Sequence, residues 1–102
     1  MTPEIFRFRF EPHLPMREVR DSLELAILAA EGVHGPAQVR LDFGYYADDE
    51  KRSLVVDARA EAGRTVAQVF IEFLTQQFGE HTFRVERVGQ QREADLVAEV
   101  RG

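Results

Sequence analysis

The chain has 102 residues, a formal net charge of −5 and no cysteine. This length predicts one domain, and the lack of cysteine excludes disulfides, thiolate metal sites and a cysteine nucleophile. The acidic balance argues against bulk attraction to nucleic acid or anionic lipid, so we expect neither a nucleic-acid nor a membrane partner.

The first residues also bear on localisation. Arginines interrupt the apolar residues of the segment MTPEIFRFRF, so it lacks the apolar centre of a signal peptide. The longest apolar run, Leu25–Ala30, is far too short to cross a bilayer. The sequence therefore predicts a cytoplasmic protein.

The first predicted elements are a strand and a helix. Residues 4–10 alternate strictly, with phenylalanines on one side and Ile5, Arg7 and Arg9 on the other, which predicts a strand with a wet face. Residues 16–31 carry an apolar stripe at the helical period. Gly32 follows this stripe, and we expect it to be the helix C-cap.

Two further alternating segments predict a hairpin. Residues 38–46 place Val39, Leu41 and Phe43 on one face, and residues 53–60 alternate in the same way. The polar segment between them suits a turn.

A second helix and a last strand complete the pattern. Gly63 is predicted to open the helix, because Thr65 and Gln68 have the spacing of a capping box. Gly79 is expected to end it, and residues 81–88 alternate as a strand.

Four strands, each with one apolar face, and two amphipathic helices predict an α+β two-layer sandwich with both helices on one sheet face. Right-handed crossovers favour the βαββαβ, ferredoxin-like arrangement, an antiparallel sheet of order 4-1-3-2. Residues 1–88 are predicted to form this single domain. The tail, residues 89–102, is expected to be a short fifth strand, a helix or a flexible segment.

The wet face of the predicted sheet is rich in arginine. Like charges on neighbouring strands are unfavourable unless an anion lies between them. This face is therefore a candidate site for small anionic ligands or acidic peptides, although the pattern favours ordinary cross-strand ion pairs with Asp and Glu. The candidate ligand-binding residues are Arg7, Arg9, Arg40, Arg59 and Arg84.

The first helix has a second apolar patch. Leu25, Leu28 and Ala29 lie roughly opposite its main stripe at 100° per residue. A helix that is apolar all round is normally covered on both sides. We expect the cover to be a second subunit, a partner protein or the tail of the chain.

Three polar residues are candidates for metal or proton chemistry. The predicted topology puts His13 and His81 at one end of adjacent strands, close to Glu11. Two imidazoles and a carboxylate can bind a metal or move protons. The chain lacks HxxxH and HExxH spacing, which favours exposed loop histidines of no special role over a metal or proton site.

These observations support three hypotheses, and none of them requires a cofactor. The first is a non-enzymatic protein-interaction module that self-associates or docks on a larger protein. The second is a binder of small anionic ligands or acidic peptides. The third is a small enzyme or metal protein that uses Glu11, His13 and His81.

Overall fold

The computed structural model describes residues 4–88, which form four strands and three helices. The prediction for residues 89–102 lies outside this range. In chain order, the elements are β1 (Ile5–Phe10), α1 (Met16–His34), α2 (Pro36–Asp42), β2 (Tyr45–Asp48), β3 (Ser53–Asp57), α3 (Glu61–Phe78), a 3-10 turn (Glu80–Thr82) and β4 (Phe83–Arg87).

The four strands form one antiparallel sheet with the order β2-β3-β1-β4. Read from the other edge, this is the same set of neighbours as the predicted order 4-1-3-2. β1 therefore lies inside the sheet, between β3 and β4. Its register places Phe8 opposite Leu54 on β3 and opposite Val85 on β4. Directly opposed residues on neighbouring strands point to the same face of the sheet, so these three share the helix-facing side.

The core lies between the sheet and the three helices. Phe8 is fully buried and its ring centroid lies 4.9 Å from that of Phe70 on α3. Full burial of a large apolar side chain stabilises the fold by about 1.5–3 kcal/mol. The same cluster includes Leu23 from α1 and Val39 from α2, so all three helices cover the same side of the sheet.

The predicted strand over residues 38–46 is wrong for most of its length. Gly35 has a φ of 88°, and Pro36 takes the first position of α2, which suits a residue without an N–H. Val39 is buried while Leu41 is 74% exposed, so the side chains do not alternate across a strand. The pattern misled because Val39 and Phe43, four residues apart, also share a helix face.

Both long helices differ from prediction at their ends. α1 continues through Gly32 to His34, and Gly35 is the C-cap. α3 begins at Glu61, so the predicted capping box of Thr65 is wrong. The Thr65 hydroxyl instead donates to the carbonyl of Glu61, one turn earlier.

Within residues 4–88, none of the helices is both long and apolar enough to cross a membrane.

Candidate functional site

The outer side of α1 carries exposed apolar residues. Leu25 is 51% exposed and Leu28 is 61% exposed, and Ala29 is exposed beside them. At 100° per residue, these three positions and Gly32 lie within an arc of about 100° on the helix surface. We call the set of Leu25, Leu28, Ala29 and Gly32 the α1 stripe.

The α1 stripe faces away from the core. The opposite side of the helix buries Val19, Leu23 and Ala26 completely or nearly so. The helix therefore has two apolar sides. Described residues cover the side that faces the core, and the α1 stripe on the other side is exposed. The structure thus brings the three predicted interface residues together on one exposed surface.

A cleft adjoins the α1 stripe. It has a volume of about 340 Å³ and lies where α1 meets α2 and the start of β2. Ile27, Val39 and Phe43 supply apolar walls. Ile27 also borders a shallow depression shared with Leu28, so the cleft and the stripe are continuous.

Arg40 lies in this cleft and not on the sheet, contrary to prediction. It belongs to α2, because the segment that was expected to be a strand is helical. Glu31 of α1 lines the same cleft. The cleft could not be predicted from the sequence, because the alternating pattern placed Val39 and Phe43 on a strand.

Three of the remaining candidate arginines, Arg7, Arg9 and Arg84, lie on the side of the sheet away from the helices, which we call the second face of the sheet. Arg9 pairs in register with Arg84, so two guanidinium side chains start from directly opposed positions. The Arg9 Nε donates to a carboxylate oxygen of Glu86 at 2.5 Å. Arg7 pairs in register with Glu86. The acidic residue thus offsets part of the positive charge.

Arg59 is not on the strand either, since β3 ends at Asp57. Its Nε and one terminal nitrogen donate to the two carboxylate oxygens of Asp57 at 2.9 and 2.8 Å. The Arg59 backbone N–H donates to the same carboxylate at 3.0 Å. The hydrogen bonds from the side chain to Asp57 raise the pKa of Arg59 against the opposing effect of burial. Arg59 is thus paired with Asp57, two residues earlier in the same turn.

The second face of the sheet is also less exposed to solvent than the sequence pattern predicts. Ile5 is 2% exposed and Val55 is 5% exposed, although both lie on the side away from the helices. Tyr46 and Val88 pack against them as a second small apolar cluster. The Asp57 carboxylate is buried beside this cluster on the same face.

The three candidates for metal or proton chemistry do not all line one cleft. Glu11 and His81 border one cleft of about 240 Å³, together with Arg9 and Arg84. His13 does not border this cleft and is exposed in the loop after β1. Within residues 4–88, no group of three or more His, Cys, Asp or Glu residues is placed to hold a metal ion.

Arg52 has a structural role that sequence analysis missed. Its guanidinium donates to the carbonyls of Glu11, at 2.8 Å, and of Leu14. The residue adopts a φ of 52° at the end of the β2–β3 turn, a left-handed conformation that is uncommon for a residue other than glycine. Arg52 therefore fastens the β1–α1 loop to this turn.

Comparison with known proteins gives no assignment: no family model, no curated protein and no solved structure matches the chain.

Proposed function

We propose that this protein is a protein-interaction module that associates with a second copy of itself through the α1 stripe. The observation that carries the proposal is the exposure of Leu25 and Leu28 at the middle of α1, opposite the buried side of the same helix. Burial of apolar surface is the main driving force for association.

The neighbourhood of the α1 stripe supports a contact with another chain. The depression beside Leu28 is lined by Glu24, Ile27 and Leu28. The larger cleft next to it extends the apolar surface towards Phe43. Contiguous exposed apolar patches with a polar rim typically mark interaction sites. Here Glu31 and Arg40 supply polar groups at the edge of the patch.

We include in this proposal a ferredoxin-like topology and a cytoplasmic location. The topology is supported by the antiparallel order β2-β3-β1-β4 and by helices α1 and α3 on the same side of the sheet. α2 is then an addition between the first helix and the second strand. The location rests on the sequence alone.

Substitution of the leucines tests the proposed contact. The thermal midpoint of a self-associating protein rises with its concentration, because association stabilises only the folded state. We expect this rise for the natural chain and its loss in a variant with Leu25→Asp and Leu28→Asp. Both positions are more than half exposed, so the folded monomer should tolerate the change.

Leu41→Asp is the matched control. It makes the same replacement at a leucine that is 74% exposed on α2, outside the α1 stripe. We expect it to keep the concentration dependence of the natural chain. The same midpoint at every concentration for the natural chain and the leucine variant would contradict the proposal.

A second candidate function is the binding of small anionic ligands or acidic peptides. One observation favours it: Arg9 and Arg84 oppose each other in register, and both border the cleft that contains His81. An anion held between the two guanidinium groups would relieve their repulsion. Within residues 4–88, no carboxylate forms an ion pair with Arg84 in the way that Glu86 pairs with Arg9.

Titration with pyrophosphate at low salt tests this second function. We expect NMR shifts at Arg9 and Arg84 that weaken as salt is added, since exposed charges are screened. Arg84→Gln should abolish them. Arg17→Gln, an equal change of charge on α1, should not. No shift at low salt would exclude the site.

A further inference from the structure

We infer that two copies of the chain pair through antiparallel α1 helices, with Gly32 as the point of closest approach. The inference rests on the proposed self-association and adds its geometry. It starts from the position of Gly32 inside the last turns of α1, where glycine destabilises a helix relative to alanine.

The described part of the fold, residues 4–88, does not explain this glycine. Within that part of the chain, a Cβ atom added at Gly32 meets nothing within 4 Å. The residue is exposed and the helix continues through it to His34. Its φ is not in the left-handed region, in contrast to Gly35 at the end of the helix. A glycine with space around it and ordinary backbone angles is suited to the close approach of another backbone.

The α1 stripe is complementary to itself in one orientation. Its bulky residues, Leu25 and Leu28, precede its small residues, Ala29 and Gly32, along the helix. An antiparallel pair with its two-fold axis between positions 28 and 29 places Leu25 of each copy over Gly32 of the other. Leu28 of each copy then lies opposite Ala29 of the other beside the axis, so Ala29 is offset from its own counterpart by only about 1.5 Å along the helix. Two identical surfaces that contact each other in this way form a closed dimer.

The acidic residues in line with the α1 stripe favour the same orientation, whereas Glu24 and Glu31 on its flank oppose it, because the antiparallel pair brings Glu24 of one copy beside Glu31 of the other. Glu18 and Asp21 lie on the N-terminal continuation of the α1 stripe and are exposed. Parallel helices would place the acidic residues of the two copies against each other. In the antiparallel pair, the two Asp21 residues are separated by about 22 Å along the helix, at 1.5 Å per residue. Parallel pairing would also oppose Leu25 to Leu25 and leave Gly32 facing Gly32.

Single-cysteine variants test the orientation, because the natural chain has no cysteine. A disulfide forms only between residues whose Cα atoms lie within about 7 Å. We expect Ala29→Cys to form a disulfide-linked dimer in mild oxidant. Leu25→Cys and Gly32→Cys should each remain unlinked when alone and should link to each other when mixed.

The pattern of links separates this inference from the proposal on which it rests. Efficient linking of Leu25→Cys to itself in a chain that dimerises would establish a parallel pair and overturn the inference. A chain that stays monomeric at all concentrations, with none of the variants linked, would overturn the proposed function as well.

Gly32→Leu tests the close approach independently. Gly32 is exposed and a Cβ atom there meets none of the described residues within 4 Å, so the thermal midpoint at low concentration should not fall. Association should weaken by about tenfold or more, since a bulky group in a packed contact is poorly tolerated. Unchanged association of Gly32→Leu would contradict the role given to this glycine.

Discussion

Gly63 and Gly32 lie in comparable places, each within two or three residues of the end of a long helix, but in opposite surroundings. A Cβ atom at Gly63 would lie 2.2 Å from the backbone oxygen of Asp57, whereas a Cβ atom at Gly32 has no neighbour within 4 Å among the residues that the structure describes. Gly63 lets α3 start directly against the end of β3. The described fold requires Gly63, and residues 4–88 give no reason for Gly32.

The same contrast separates the two surfaces on which sequence analysis placed candidate sites. On the second sheet face, most charges are engaged within the chain, as in the pairs Arg9–Glu86 and Arg59–Asp57. On the α1 stripe, Leu25 and Leu28 remain exposed. Charged side chains that are paired within the monomer are explained by folding. Apolar side chains that folding leaves exposed are better candidates for a functional contact.

Gly63→Ala should give the largest loss of stability. The added methyl group meets backbone, which cannot rotate away, so α3 or β3 must shift. We expect a decrease of about 3 kcal/mol in the free energy of unfolding. Urea denaturation measures it. A variant as stable as the natural chain would break the comparison, because Gly63 would then be as dispensable to the fold as Gly32.

Asp57→Ala should have the next largest effect. The buried carboxylate accepts hydrogen bonds from the backbone and the guanidinium of Arg59. Arg59 is partly exposed and can be solvated, so we expect a loss of about 2 kcal/mol, which urea denaturation would measure.

Glu86→Ala is the matched control for Asp57→Ala. It removes a carboxylate whose pair with Arg9 is exposed on both sides, and we expect a loss below about 1 kcal/mol. Equal losses in the two variants would show that burial does not distinguish these pairs.

Gly32→Ala should give the smallest effect, and in the opposite direction. Alanine is the better helix former and its methyl group meets no described atom. We expect a gain of about 0.5–1 kcal/mol in the stability of the monomer, measured by urea denaturation at low protein concentration. A loss of stability there would show that the monomer itself needs this glycine.

Sequence patterns predicted the α+β class and the antiparallel sheet because alternation and helical period follow directly from backbone geometry. They failed at residues 38–42, where Val39 and Phe43 suit a strand and a helix equally. The exposed positions of Leu25 and Leu28 followed from helical periodicity alone. The engagement of Arg59 by Asp57 and the role of Arg52 could not be predicted, since both depend on where β3 ends and how the β1–α1 loop passes the β2–β3 turn.

Sedimentation equilibrium of the natural chain tests the central claim most directly, namely that the α1 stripe is covered by a second copy. The chain has a mass of 11.7 kDa. The account predicts an average mass that rises with concentration towards twice this value, and a constant 11.7 kDa for the variant with Leu25→Asp and Leu28→Asp. A natural chain that keeps the mass of one copy at every concentration would contradict it.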